Sequence, residues 1–151
     1  MKKLEEEETL LGSKEKEVLD ILNELGLEDE EIISITKRNR LLNETTANEV
    51  ENIVNFFEIK CNLDKDDIAS LVLKNPLVLN ESFTRLEALA EIYDKIGFSK
   101  DEYKKYINNF DKAFSLNPKE ILDNVFAYVQ SGKEMSEVKS IMIENASQIF
   151  W

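Results

Sequence analysis

Apolar residues recur along this chain in phase with an α-helix, and the phase itself repeats. Ile32, Ile68, Tyr103 and Val138 fall at steps of 36, 35 and 35 residues, and Ile35, Leu71, Tyr106 and Ile141 keep those steps. Asn39, Asn75, Phe110 and Asn145 follow the same spacing. Inside one such stretch, Ile68, Leu71 and Val72 lie three and four residues apart and give a helix one apolar stripe. Leu27, Leu63 and Phe98 mark the turn into the second helix of a pair, a column that Lys133 breaks.

Polar signals at helix starts keep the same period. Thr46 with Glu49 and Asn117 with Glu120 have capping-box spacing, and Pro118 suits the first helical position. Ser82 occupies the matching slot, with Arg85 in place of the acid, and Ser99 with Glu102 caps a second helix. Asp64 can cap the helix that Asp66 and Asp67 begin, while Pro76 stops it near Lys74 or Asn75. Gly26 suits a helix C-terminus. The pattern predicts helix pairs 14–25 with 29–39, 46–61 with 64–74, 82–96 with 100–109, and 117–131 with 135–145. Each pair leads into a short apolar connector: Leu41-Leu42, Leu77-Val78-Leu79, Ala113-Phe114 and Ile149-Phe150.

Such a small unit cannot bury its apolar face alone, so neighbours must stack. An all-α fold follows, an α-solenoid of about four helix-turn-helix repeats at 14–45, 46–81, 82–116 and 117–151, forming a single domain behind a charged leader, 1–13. The alternative is a compact eight-helix bundle in which the period is chance.

Composition narrows the reading. At 151 residues, with 42% hydrophobic and 33% charged positions, the chain is of globular type. One cysteine, Cys61, excludes an internal disulfide and fits a reducing compartment; no apolar signal-peptide core or membrane-length run is present, so a cytoplasmic address is expected and no membrane partner. The net charge of −12 repels nucleic acid unless basic side chains gather on one face.

The second unit, Leu-Asp-Lys-Asp-Asp-Ile-Ala-Ser-Leu-Val-Leu-Lys-Asn-Pro-Leu-Val-Leu from Leu63, resembles the repeat of the mitochondrial transcription termination factor (mTERF) family. Lys-Ile-Gly-Phe-Ser-Lys-Asp-Glu-Tyr from Lys95 does so too. That family's repeats have a Leu-Gly-Leu/Phe-Ser turn, an acidic helix start and a Pro-Leu-Leu-like step. The proline occurs here only at Pro76, with Arg40, Asp111 and Ala146 in the corresponding places. The resemblance, over residues 17–151, implies a curved helical-repeat protein that binds duplex nucleic acid through basic residues along its concave side.

Candidate chemistry is sparse. Histidine is absent, which excludes His-based triads and His metal sites, and no enzyme activity or cofactor is expected. Cys61 sits beside Lys60, which favours a thiolate, yet at the apolar end of a helix, which favours a packing role. Asp64, Asp66 and Asp67, like Glu28 to Glu31, lack the glycine of a calcium loop; helix-start electrostatics explains both. Lys37, Arg38 and Arg40 close one helix, and Lys104 and Lys105, with Lys100 and Lys112 nearby, decorate another. These five, Lys37, Arg38, Arg40, Lys104 and Lys105, are the candidate phosphate contacts, against the alternative of an ordinary solvated face.

The composition points first to a non-enzymatic protein-interaction module, because acidity suits a basic partner; the alternative is nucleic-acid binding by a local basic strip. The next cap after Asn117 would fall at residue 152, and the last helix is apolar around Met142 and Ile143. Met142, Ile143, Phe150 and Trp151 are therefore the expected interface, to be covered by a protein partner, by a second copy of the chain, or by Phe150 and Trp151 folding back.

Overall fold

The computed structural model describes residues 18–146. Every regular element among them is helical. In chain order these are α1 (18–24, its described part), α2 (Asp29–Arg38), α3 (Ala47–Ile59), α4 (Lys65–Lys74), α5 (Phe83–Ile96), α6 (Lys100–Asn109), α7 (Pro118–Gln130) and α8 (Met135–Asn145). The expected helix pairs are present, with bounds within two residues of those read from the pattern, except the expected start at residue 14, which lies outside the described residues. Two connectors are themselves 3-10 helices, Arg40–Glu44 and Pro76–Asn80. The expected leader and the Ile149-Phe150 connector lie outside the described residues.

The caps show why the period holds. Thr46 Oγ1 accepts from the Glu49 N–H at 3.1 Å and Ser82 Oγ from the Arg85 N–H at 3.0 Å. Asn117 departs from the box geometry: its side chain accepts from Lys119 N–H at 2.9 Å, one position earlier than expected. At the second helices, Glu31, Asp67, Glu102 and Glu137 all reach back to accept from the backbone N–H of the residue three before them. Between the helices of each pair the chain turns through positive φ at Gly26, Asn62, Gly97 and Gly132, again 36, 35 and 35 residues apart. Asn is the residue that best tolerates that conformation after glycine, so Asn62 continues a glycine column.

Chain contacts divide the molecule into two compact units: the described residues up to Glu58 with Leu63–Asn80, and Ile59–Asn62 with the described residues from Glu81 on. In the first, α2 packs on α4 and on the 3-10 helix Pro76–Asn80. Its core holds Leu22, Ile35, Val50, Phe57, Ile68, Leu71 and Leu79, all nearly or fully buried. A polar bridge crosses this core: the Asn39 carboxamide Nδ2 donates to the Pro76 carbonyl at 2.9 Å and to Asn80 Oδ1, and Asn80 Nδ2 donates to Thr45 Oγ1 at 2.8 Å.

In the second unit α6 packs on α8, α5 on α7 and α8, and α7 on α8. Its centre is aromatic. Tyr93 meets Tyr106 and Phe114 edge-to-face, with ring centroids 5.2 and 5.3 Å apart. The Tyr93 hydroxyl donates to the Ala113 carbonyl at 2.5 Å and pairs with the Tyr106 hydroxyl, so the buried phenols are partnered.

Candidate nucleic-acid interface

In the first unit the second helices carry opposite charges at their two ends. Asp29, Glu30 and Glu31 fill the first turn of α2, and Asp66 and Asp67 that of α4; Lys37 and Arg38 fill the last turn of α2, and Lys74 that of α4. Each side chain sits where the helix dipole favours its sign. Helices α2 and α4 pack together. Arg38 Nη2 donates to the Leu73 carbonyl at 2.5 Å, which ties the C-terminus of α2 to that of α4. Arg40 begins the 3-10 helix that follows. Lys37, Arg38, Arg40 and Lys74 are all exposed, three of them in the last turns of α2 and α4 and Arg40 two residues beyond α2.

Lys74 was not among the candidates, because the cluster was read along the chain rather than across the repeat. Its signal was the register: Lys74 lies 36 residues after Arg38. The second unit has no matching arrangement. The C-terminal end of α6 holds Asn108 and Asn109, and Asn109 Nδ2 donates to the Ile143 carbonyl at 2.8 Å. Lys104, half-buried, and exposed Lys105 are adjacent on α6 and so point about 100° apart. The structure thus places Lys37, Arg38, Arg40 and Lys74 in the first compact unit, with Arg38 tied to the end of α4, and Lys104 and Lys105 in the second.

The other candidates resolve in turn. Cys61 is fully buried, and burial pushes its thiol far above the usual range. The Lys60 ammonium beside it is 2.5 Å from Asp94 and 5.7 Å from the Tyr103 ring centroid. Cys61 is a packing residue. Asp64 and Asp67 accept from each other's backbone N–H, the helix-start role. Among the described residues no group of three or more His, Cys, Asp or Glu is placed to hold a metal ion, and no helix is long and apolar enough to cross a membrane.

Met142 and Ile143, expected as an open apolar end, are buried at 0% and 6% exposure. Helix α8 lies against α5, α6 and α7, and these two residues belong to that packing rather than to a surface. Phe150 and Trp151 lie outside the described residues. Exposed apolar side chains gather instead on α7 and the start of α8: Leu122, Phe126, Val129 and Met135.

Paired helices on one register, two of the pairs followed by 3-10 turns, define an all-α helical-repeat protein of the α-solenoid class. The family model that matches the chain is that of mTERF, over residues 4–143, and the chain belongs to that family. The comparison with curated proteins finds no match.

Proposed function

We propose that this chain is a nucleic-acid-binding helical-repeat protein that contacts the phosphate backbone with the basic edge Lys37, Arg38, Arg40 and Lys74. Membership of the mTERF family supports the nucleic-acid reading ahead of the protein-interaction module that composition alone put first. The observation that carries the site is the separation of charge in the first unit.

A net charge of −12 argues against an anionic ligand only if the acids act where the ligand sits. In the 10-residue helices α2 and α4 the acidic and basic side chains start six to nine residues apart, about 9–14 Å along the axis. At physiological ionic strength the Debye length is about 8 Å, and exposed charges further apart than that are largely screened from one another. The basic edge therefore keeps a local positive field, and the acids offset it mainly at low salt or long range. Four phosphate contacts give a salt slope of roughly −3 to −4 in log K against log salt.

The test is fluorescence anisotropy with a labelled 20-base-pair duplex and a single-stranded RNA of equal length, from 50 to 200 mM salt. Binding that weakens with the stated slope, and that is lost in Lys37→Glu with Arg40→Glu, supports the reading. Absence of binding to both probes at 50 mM salt, or binding indifferent to that double substitution, overturns it.

A further inference from the structure

Half of the large apolar side chains that stand open to solvent among the described residues share one face. Leu122 (52% exposed), Phe126 (62%) and Val129 (38%) lie at i, i+4 and i+7 on α7, and Met135 (39%) opens α8 beside them. With Val125 and Asp123 they line an open groove of about 330 Å³ in the second unit.

The repeat fold does not call for this. The register-equivalent positions are Glu51, Asn55, Glu58 and Lys65 in one pair, and Glu87, Glu91, Asp94 and Lys100 in the next, all exposed. In the first of those pairs the same positions, with Glu24 of α1, line a groove that is acidic rather than apolar. Nor would a further stacked repeat cover the face. Helix α5 is packed by both α7 and α8 and still leaves Glu87, Glu91 and Asp94 open. Meanwhile positions buried in α5, at Leu89, Tyr93 and Ile96, hold Asn124, Tyr128 and Ser131 in α7, half-buried or exposed. Relative to α3 and α5, polarity and apolarity have changed places on α7.

We propose that the Leu122–Phe126–Val129 stripe, closed on one side by Met135, docks a basic amphipathic helix from a protein partner. A helical stripe beside a groove suits the helix-in-groove mode, in which two or three apolar anchors enter and charged flanks set the register. The sign of those flanks follows from Asp123 in the lining and from Glu134 and Glu137 around Met135. A second copy of the chain is a poor occupant. It brings the same net negative charge, and four half-open side chains supply far less than the roughly 800 Å² per partner of a standard interface.

A fluorescein-labelled 18-residue Leu/Lys amphipathic helix is a suitable probe, read by anisotropy at physiological salt. The variant is Leu122→Glu with Phe126→Glu, which installs the residues α5 carries at Glu87 and Glu91 and so leaves the repeat fold intact, as circular dichroism checks. The expected result is at least tenfold weaker binding, despite two added negative charges that would tighten a purely electrostatic complex. The charge-neutral Phe126→Ala is expected to weaken binding severalfold. Equal or tighter binding by the double variant, or no binding by the unaltered chain, overturns the proposal. Sedimentation of the unaltered chain as a dimer that Phe126→Glu dissolves overturns it in favour of self-association.

Discussion

The side chain of Asn39 crosses the core of the first unit to donate a 2.9 Å hydrogen bond to the carbonyl of Pro76, 37 residues away. Asn39 is 1% exposed, and its own backbone N–H caps α2 by donating to Ile35 O at 2.8 Å. One residue thus ends a helix and fixes the start of the 3-10 helix one repeat later. Asn75 and Phe110, at the same register, cap α4 and α6 with bonds of 2.8 Å to Leu71 and Tyr106.

Replacing Asn39 with alanine removes the donor to a buried carbonyl. The expected loss is about 1–3 kcal/mol, the cost of leaving a buried polar group unpaired. Urea denaturation followed by circular dichroism measures it. A midpoint unchanged from the parent protein would mean that water replaces the amide without cost and that the bridge is not structural.

Leu71 tests the apolar phase. It is 4% exposed on the buried side of α4, so Leu71→Ala is expected to cost about 2–5 kcal/mol. Leu77, six residues on, is 51% exposed despite its place in an apolar triplet, and Leu77→Ala is expected to fall within about 0.5 kcal/mol of the parent. Equal losses at the two positions would contradict the register.

The aromatic centre of the second unit predicts a response to alkali. Burial holds the phenols of Tyr93, Tyr103 and Tyr106 well above the ordinary tyrosine range, and the Asp94 carboxylate, which accepts the Tyr103 hydroxyl proton at 2.7 Å, adds to the shift at Tyr103. Their pKa values are raised in the folded state, so the stability they confer is complete below the unfolded value near 10 and falls as pH rises through the range above it. Absorbance at 295 nm should show these three ionising together with loss of helical circular dichroism. Their ionisation in a fully helical protein would show that the cluster is open to solvent.

Much of the fold was legible because two independent signals kept one period. Apolar phase placed the stripes, and cap residues such as Thr46, Ser82 and Ser99 placed the starts. Two features were present in the sequence but went unread: the positive-φ column of Gly26, Asn62, Gly97 and Gly132, masked by one asparagine, and the connectors as 3-10 helices. The site was harder. Whether an apolar residue is covered depends on which elements pack around its helix, which periodicity does not state. Met142 and Ile143 therefore read as uncovered by the rest of the repeat although α8 packs on three helices, and the open stripe on α7 drew no notice. Lys74 was overlooked for a related reason: neighbours in a repeat protein lie one period apart, so a charge cluster has to be sought across the register.

That position supplies the sharpest test of the basic edge. Lys74 is exposed, ends α4, and stands where Arg38 stands in the preceding repeat. As a single phosphate contact, its replacement by glutamine should weaken binding about equally for all sequences of duplex and lower the salt slope by about 1. The C-terminal dipole favours a cation there by about 0.3–1 kcal/mol, so Lys74→Gln is also expected to lower stability slightly, and binding has to be compared at a temperature where both proteins are folded. Lys105→Gln, on α6 in the other unit, should leave the slope unchanged. A slope that falls for Lys105 and not for Lys74 would move the interface to the second unit and withdraw the edge formed by Lys37, Arg38, Arg40 and Lys74.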